Sequence, residues 1–281
     1  MSFFPGDFKR AEKYHLATIK YRKQQLGENH PFVGASYNNL GLLYQQKDEH
    51  EQSLEFFVKG LEIKKKTKAS TVSIISSLSN IANTYNALGN FEAAHAQLDE
   101  AFNIIATEKT IFTVLDAQSL VYNTRGKVYL KEGKLEDSHR AFAESVRLSE
   151  DSLPNNFLFM KRLASLGKVQ ERVGQFTESM KTLKRALSLK EGSIKQLAHN
   201  EIVTECLECL MRIYRHFGDS SKYKKTLFEL EAECFRLESV CLQKENLKRL
   251  DFVYKTMDNV HERMNEVCEV ERGVLYTRTG M

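Results

Sequence analysis

The chain is poor in proline. Only Pro5, Pro31 and Pro154 occur in 281 residues, and tryptophan is absent. Proline at about 1%, against roughly 5% in ordinary chains, argues against Pro-rich linkers and turn-dense β architecture and leaves long helices. No run approaches the roughly 18–20 apolar residues that span a bilayer, and the opening MSFFPGDFKR has neither the basic start nor the apolar run of a signal peptide. The five cysteines, Cys206, Cys209, Cys234, Cys241 and Cys268, are odd in number and confined to the last third, unlike an even disulfide framework. A soluble, cytoplasmic chain with reduced thiols is expected. With 41 Lys+Arg against 37 Asp+Glu, the net charge of +4 lacks the basic bias of a nucleic-acid binder. What is present, 42% hydrophobic and 28% charged residues, suits amphipathic helices with a sizeable core.

Repetition organises the chain. GDFKRA, KDEHEQS, GNFEAA, GKLEDS, GQFTES and GDSSKY each interrupt a helical pattern at Gly6, Asp48, Gly89, Gly133, Gly174 and Gly218, at spacings of 42, 41, 44, 41 and 44, with a weaker seventh turn expected at Asp258. Eleven, eight, seven and four residues before a turn lies an apolar stripe: Tyr37, Leu40, Gly41, Tyr44; Leu78, Ile81, Ala82, Tyr85; Tyr122, Arg125, Gly126, Tyr129; Leu163, Leu166, Gly167, Gln170; Leu207, Leu210, Met211, Tyr214; Leu247, Leu250, Asp251, Tyr254. This i, i+3, i+4, i+7 spacing marks one helix face, and Arg125, Gln170 and Asp251 break it. A second helix follows each turn, with a stripe such as Phe91, Ala94, Leu98, Ala101 or Phe176, Ser179, Leu183, Ala186. Each unit is thus an antiparallel helix pair that needs its neighbours to bury both stripes.

Over roughly residues 6–272 the pattern resembles the tetratricopeptide repeat proteins. LGENHPFVGASYNNLGLLY (26–44) is similar to the kinesin light chain and nephrocystin-type subgroup, with its Leu-Gly-x-x-His-Pro linker before an Asn-Asn-Leu helix; the later linkers TEKTIFT, SEDSLPNN and EGSIKQ depart from it. The resemblance implies an all-α, right-handed superhelical solenoid of antiparallel helix pairs. The expected organisation is a second helix of an incomplete repeat plus linker (1–33), five pairs (34–240), a degenerate capping pair (241–272) and a tail (273–281). An opening on a second helix suggests the C-terminal part of a larger protein, or an N-terminal end covered by another chain, since Phe8, Ala11 and Ile19 would lack a partner on one side.

The resemblance also implies a concave lining on the first helices, at thirteen, ten, nine, six, three and two residues before each turn. These slots begin with carboxamides and hydroxyls and become cationic. Asn38, Asn39, Gln45, Asn80, Asn83 and Asn123 offer both donors and acceptors to a peptide backbone; Lys127, Lys131, Lys168, Arg172 and Arg212 offer charge to carboxylates or phosphates. The expected function is a non-catalytic protein-interaction scaffold for an acidic or phosphorylated peptide, with its acidic portion over Lys127, Lys131, Lys168 and Arg172. The alternative is an assembly subunit acting through its N-terminal end and convex face.

Other constellations carry little. Cys206-x-x-Cys209 lies within a helix without a second pair at ligand spacing, so no metal or cofactor is expected; Cys206 should pack between helices, and Cys209 falls at a lining slot as an accessible thiol. His30 belongs to the linker and should be structural. The histidines form no zinc-hydrolase pattern, and no phosphate loop or nucleophile elbow occurs, so no enzyme is expected. Lys64, Lys65, Lys66 and Lys68 read as a solvated helix end. Nucleic-acid binding would want aromatics interleaved with cations on an exposed face, and the tyrosines largely occupy core slots.

Overall fold

The computed structural model describes residues 8–108, 111–150, 157–189, 197–243, 253–264 and 266. Among them the structure is entirely helical and falls into two compact units, Met1–Pro154 and Asn155–Met281. The first unit holds α1 (Phe8–Leu26), α2 (Pro31–Gln46), α3 (His50–Lys66), α4 (Thr71–Ala87), α5 (Phe91–Thr107), α6 (Ile111–Glu132) and α7 (Leu135–Glu150). The second holds α8 (Phe157–Arg172), α9 (Phe176–Ser188), α10 (Leu197–His216), α11 (Ser220–Gln243) and a helical stretch over 253–264. This is an all-α repeat fold.

The helices of each pair are joined by one repeated device. Asp48, Gly89, Gly133, Gly174 and Gly218 all take positive φ, from 61° to 83°. The following residue in each case donates its N–H to the carbonyl four residues before the turn: Glu49 to Tyr44, Asn90 to Tyr85, Lys134 to Tyr129, Gln175 to Gln170 and Asp219 to Tyr214, at 2.8–3.0 Å. This is the six-to-one bond of a Schellman motif, which satisfies a carbonyl left open at the helix end. Gly6 lies outside the described residues. Asp258 lies inside the helical stretch 253–264, so the seventh turn is not formed there. Leu247, Leu250 and Asp251 lie outside the described residues, as does the tail 273–281.

The stripes meet as their spacing predicts. In the first unit Leu78, Ile81 and Ala82 of α4 are buried with Ala94, Leu98 and Ala101 of α5 in a cluster that reaches Phe57 on α3 and Val121 on α6. In the second unit Leu163 and Leu166 of α8 are buried, as are Leu183 and Ala186 of α9. Arg125 departs from the stripe for a physical reason: it reaches back to α5, pairing with Asp99 and laying its guanidinium 4.4 Å from the centroid of Phe102. Ala11 and Ile19 of α1 are each 6% exposed, covered by Leu40, Leu43 and Tyr44 of α2. The partner expected to be missing for these two side chains is therefore supplied by α2.

The small slot seven residues before the turn carries the closest approach. A β-carbon added to Gly41 would stand 2.7 Å from the Phe57 ring, and one on Gly167 would stand 2.6 Å from Leu183. In the same pairs Ser53 and Ser179 donate their hydroxyls to the Gly41 and Gly167 carbonyls at 2.8 and 2.7 Å. His30 caps α2, its Nδ1 accepting the Phe32 N–H at 3.2 Å beside Pro31 in the first turn, as expected of a structural linker residue.

Candidate interaction faces on the first helices

In the first unit the expected lining lies on α2, α4 and α6. Asn39 is exposed, Asn38, Gln45, Asn80, Asn83 and Lys127 are half-buried, and Lys131 is exposed. Asn38 and Asn80, one repeat length apart, meet across α2 and α4, where the Asn80 amide donates to Asn38 Oδ1 at 3.3 Å. Asn123 is only 7% exposed. Its Oδ1, Asn86 Oδ1 and Ser79 Oγ are buried with no hydrogen-bond partner among the described residues. Orphaned buried polar atoms are rare in folded proteins. Lys131 has another role: its ammonium donates to the carbonyls of Asn86 and Ala87 at 2.7 and 2.9 Å, closing the end of α4.

The second unit handles charge differently. Lys168 on α8 pairs with Glu205 on α10 at 2.8 Å. Arg212 on α10 grips Glu171 on α8 with both arms, Nε to Oε1 at 2.6 Å and a terminal nitrogen to Oε2 at 2.8 Å, the bidentate geometry in which arginine excels. Cys209 donates its thiol to the same carboxylate at 2.7 Å. Burial alone would raise the Glu171 pKa, but the hydrogen bonds from Arg212 and Cys209 outweigh it and hold the carboxyl below its ordinary value. Glu208 lacks that help, and burial pushes its pKa up. Arg172 is exposed at the end of α8.

The cysteines are closed off. Cys206 and Cys209 are both 0% exposed, so Cys209 is not the accessible thiol its slot suggests: it turns inward to Glu171. Burial pushes the Cys206 thiol up to about 12 and raises Cys209 as well, Glu171 adding to the effect. Among the described residues no group of three or more His, Cys, Asp or Glu is placed to hold a metal ion, and no helix is long and apolar enough to cross a membrane.

Glu171 and Glu205, placed in the lining by the repeat slots but not singled out, are what partner its cations. A signal for them exists: Glu171 and Arg212 are 41 residues apart and Lys168 and Glu205 are 37 apart, near one repeat length, so opposite charges recur on consecutive first helices. Lys64 also departs from its reading as a solvated end. It is 8% exposed, and its ammonium donates to Ser77 Oγ at 2.7 Å and the Ser73 carbonyl at 3.2 Å on α4. Burial lowers its pKa.

Family models for the tetratricopeptide repeat match residues 6–66 and 74–106. No curated protein matches the sequence. Among solved structures, BtubC (BKLC) from P. vanneervenii superposes with a TM-score of 0.66 at 12% identity, covering 80% of this chain and 90% of that one. A putative kinesin light chain from P. anserina with nearly identical tetratricopeptide-like repeats gives 0.56 at 18% identity, covering 73% and 96%. The apo form of the quorum sensor NprR from B. thuringiensis gives 0.61 at 18% identity, covering 90% and 71%. At these identities the likeness is one of fold.

Proposed function

We propose, from the tetratricopeptide repeat models that match residues 6–66 and 74–106, that the protein is a non-catalytic interaction scaffold whose first-helix faces hold an acidic or phosphorylated peptide segment. The observation that carries this reading is the row of carboxamides open on this face, exposed Asn39 with half-buried Asn38, Gln45, Asn80 and Asn83, Asn80 and Asn38 meeting one repeat length apart. An extended peptide presents N–H groups about 6.8 Å apart along one side, donors that carboxamide oxygens open to solvent can accept from. Preformed helices supply this surface at little ordering cost.

Lys127 follows Asn123 by one helical turn, so a carboxylate beside the bound backbone falls within its reach. In the second unit Glu171 and Glu205 already occupy Arg212 and Lys168, and a ligand carboxylate there competes with them. The preference for acid in the second unit depends on that competition, and in the first unit Lys131 is spent on α4. Salt screens such contacts over about 8–10 Å, and affinity falls as salt rises. A photoactivatable residue at Asn39 or Arg172 is expected to capture polypeptide from a cell extract, while the same residue at Lys59 or Lys181, on the second helices, does not. The reverse pattern would overturn the choice of face.

A further inference from the structure

We propose that the outward face of α1 docks onto an anionic phospholipid surface. The helix carries Lys9, Arg10, Lys13, Lys20, Arg22 and Lys23 against one acid, Glu12. Two of the six cations are structural: Arg22 donates to the Phe32 carbonyl at 3.0 Å and Ser36 Oγ at 2.7 Å, and Lys23 pairs with Glu28 at 3.3 Å. Glu12 is turned toward α2, where it accepts from the Tyr44 hydroxyl at 2.6 Å and pairs with Lys47 at 3.6 Å. The other four cations lie on the side away from buried Ala11 and Ile19, and all are exposed.

That side is also aromatic. Arg10, Tyr14, Ala17 and Tyr21 follow one i, i+4, i+7, i+11 ridge, with Tyr14 60% and Tyr21 64% exposed and Leu16 at the edge 45% exposed. The Arg10 guanidinium lies 5.6 Å from the Tyr14 ring centroid. The tyrosines of α1 thus interleave with cations in solvent, unlike those of the core stripes. On α3, α7 and α9, cations pair with acids of the same helix: Lys59 with Glu55, Arg140 with Asp137, Arg147 with Glu144 and Lys181 with Glu178.

A lipid headgroup layer fits this face better than a protein or a nucleic acid. Lysine is depleted at protein interfaces, whereas long ammonium stems reach lipid phosphates while tyrosine rings settle at headgroup level. Lys9 to Lys20 form a row about 16 Å long on the rounded side of a helix, not a groove that tracks a strand. The apolar side of α1 is already used against α2, so the helix lies on the headgroups and does not insert.

The test is sedimentation of the full chain with phosphatidylcholine vesicles, with or without about 30 mol% phosphatidylserine. Binding to the anionic vesicles is expected, weakening with salt. At about 1 kcal/mol, or fivefold, per cation, Lys9→Glu, Lys13→Glu and Lys20→Glu together abolish it, and the gentler Lys→Gln set reduces it about a hundredfold with an unchanged thermal melt. Lys181→Glu, Lys184→Glu and Lys225→Glu leave it intact. Equal partitioning of the parent and the Lys→Gln protein, equal binding to vesicles without phosphatidylserine, or retention of a single-stranded oligonucleotide with no vesicle binding would each overturn the proposal.

Discussion

The backbone of Gly126 on α6 lies directly against the ring of Phe142 on α7, so that a β-carbon at Gly126 would stand 2.8 Å from two ring carbons. Ser138 fastens the same crossing, its hydroxyl donating to the Gly126 carbonyl at 2.8 Å. The α4–α5 pair solves the crossing another way, with Ala82, Ala94 and Leu98 all 0% exposed at the corresponding positions. Glycine thus goes with serine, opposite Phe57, Phe142 or Leu183, and alanine goes with alanine, opposite Leu98.

Gly126→Ala should destabilise the first unit by about 1–3 kcal/mol, the usual cost of overpacking. Adding Phe142→Leu should recover part of that loss, giving a favourable coupling energy in a double-mutant cycle followed by urea unfolding. Strict additivity would show that the two side chains do not share the space.

Gly89→Ala tests backbone conformation alone, because nothing lies within 4 Å of the added carbon while φ is 77°. A loss of about 1–2 kcal/mol is expected. Asp48 occupies the equivalent turn at φ 61°. A neutral Gly89→Ala would refute the left-handed assignment.

Lys64 sets an alkaline signature. Its folded pKa lies below the unfolded value of 10.5 through burial, so in the window between them the unfolded chain binds more protons and stability rises with pH. Lys64→Met should flatten that rise and leave the melting temperature at pH 7 unchanged or higher, because Ser77 keeps a bond to the Ser73 carbonyl at 3.2 Å. A steeper rise in the variant would contradict the burial argument.

Glu171 acts at the opposite end of the pH scale. Its folded pKa lies below the ordinary, unfolded value of 4.5, so its contribution is complete above that value and is lost as pH falls through the folded pKa. Glu171→Gln should reduce the acid dependence of unfolding. In the parent protein the thiols of Cys206 and Cys209 should resist a thiol reagent at pH 8 until urea unfolds the chain; rapid labelling of either in the folded state would contradict their burial.

The fold was readable because turn and stripe obey local rules. Gly89, Gly133, Gly174 and Gly218 mark left-handed turns that side chains disfavour, and the i, i+3, i+4, i+7 spacing needs only helix geometry. Asp258 misled because a turn-prone residue does not by itself end a helix. The charged lining was less legible, since the pairing of Arg212 with Glu171 depends on the register between two helices 41 residues apart. Lys131 shows the same limit: its slot suggests a ligand contact, while the nearby end of α4 offers it two carbonyls. Tyr14 and Tyr21 lie on the helix that precedes the first complete pair, where core slots cannot be inferred from neighbouring repeats.

Acid-selective peptide binding is read out by fluorescence anisotropy of a labelled Glu-rich dodecapeptide, with a Gln-rich peptide of the same length as reference. The parent protein should bind the acidic peptide more tightly, with affinity falling as salt rises, and Lys127→Glu with Lys168→Glu should weaken it at least tenfold, about 1.4 kcal/mol. Equal binding of the two peptides, or an affinity unchanged by the double charge reversal, would contradict acid recognition by the first-helix faces.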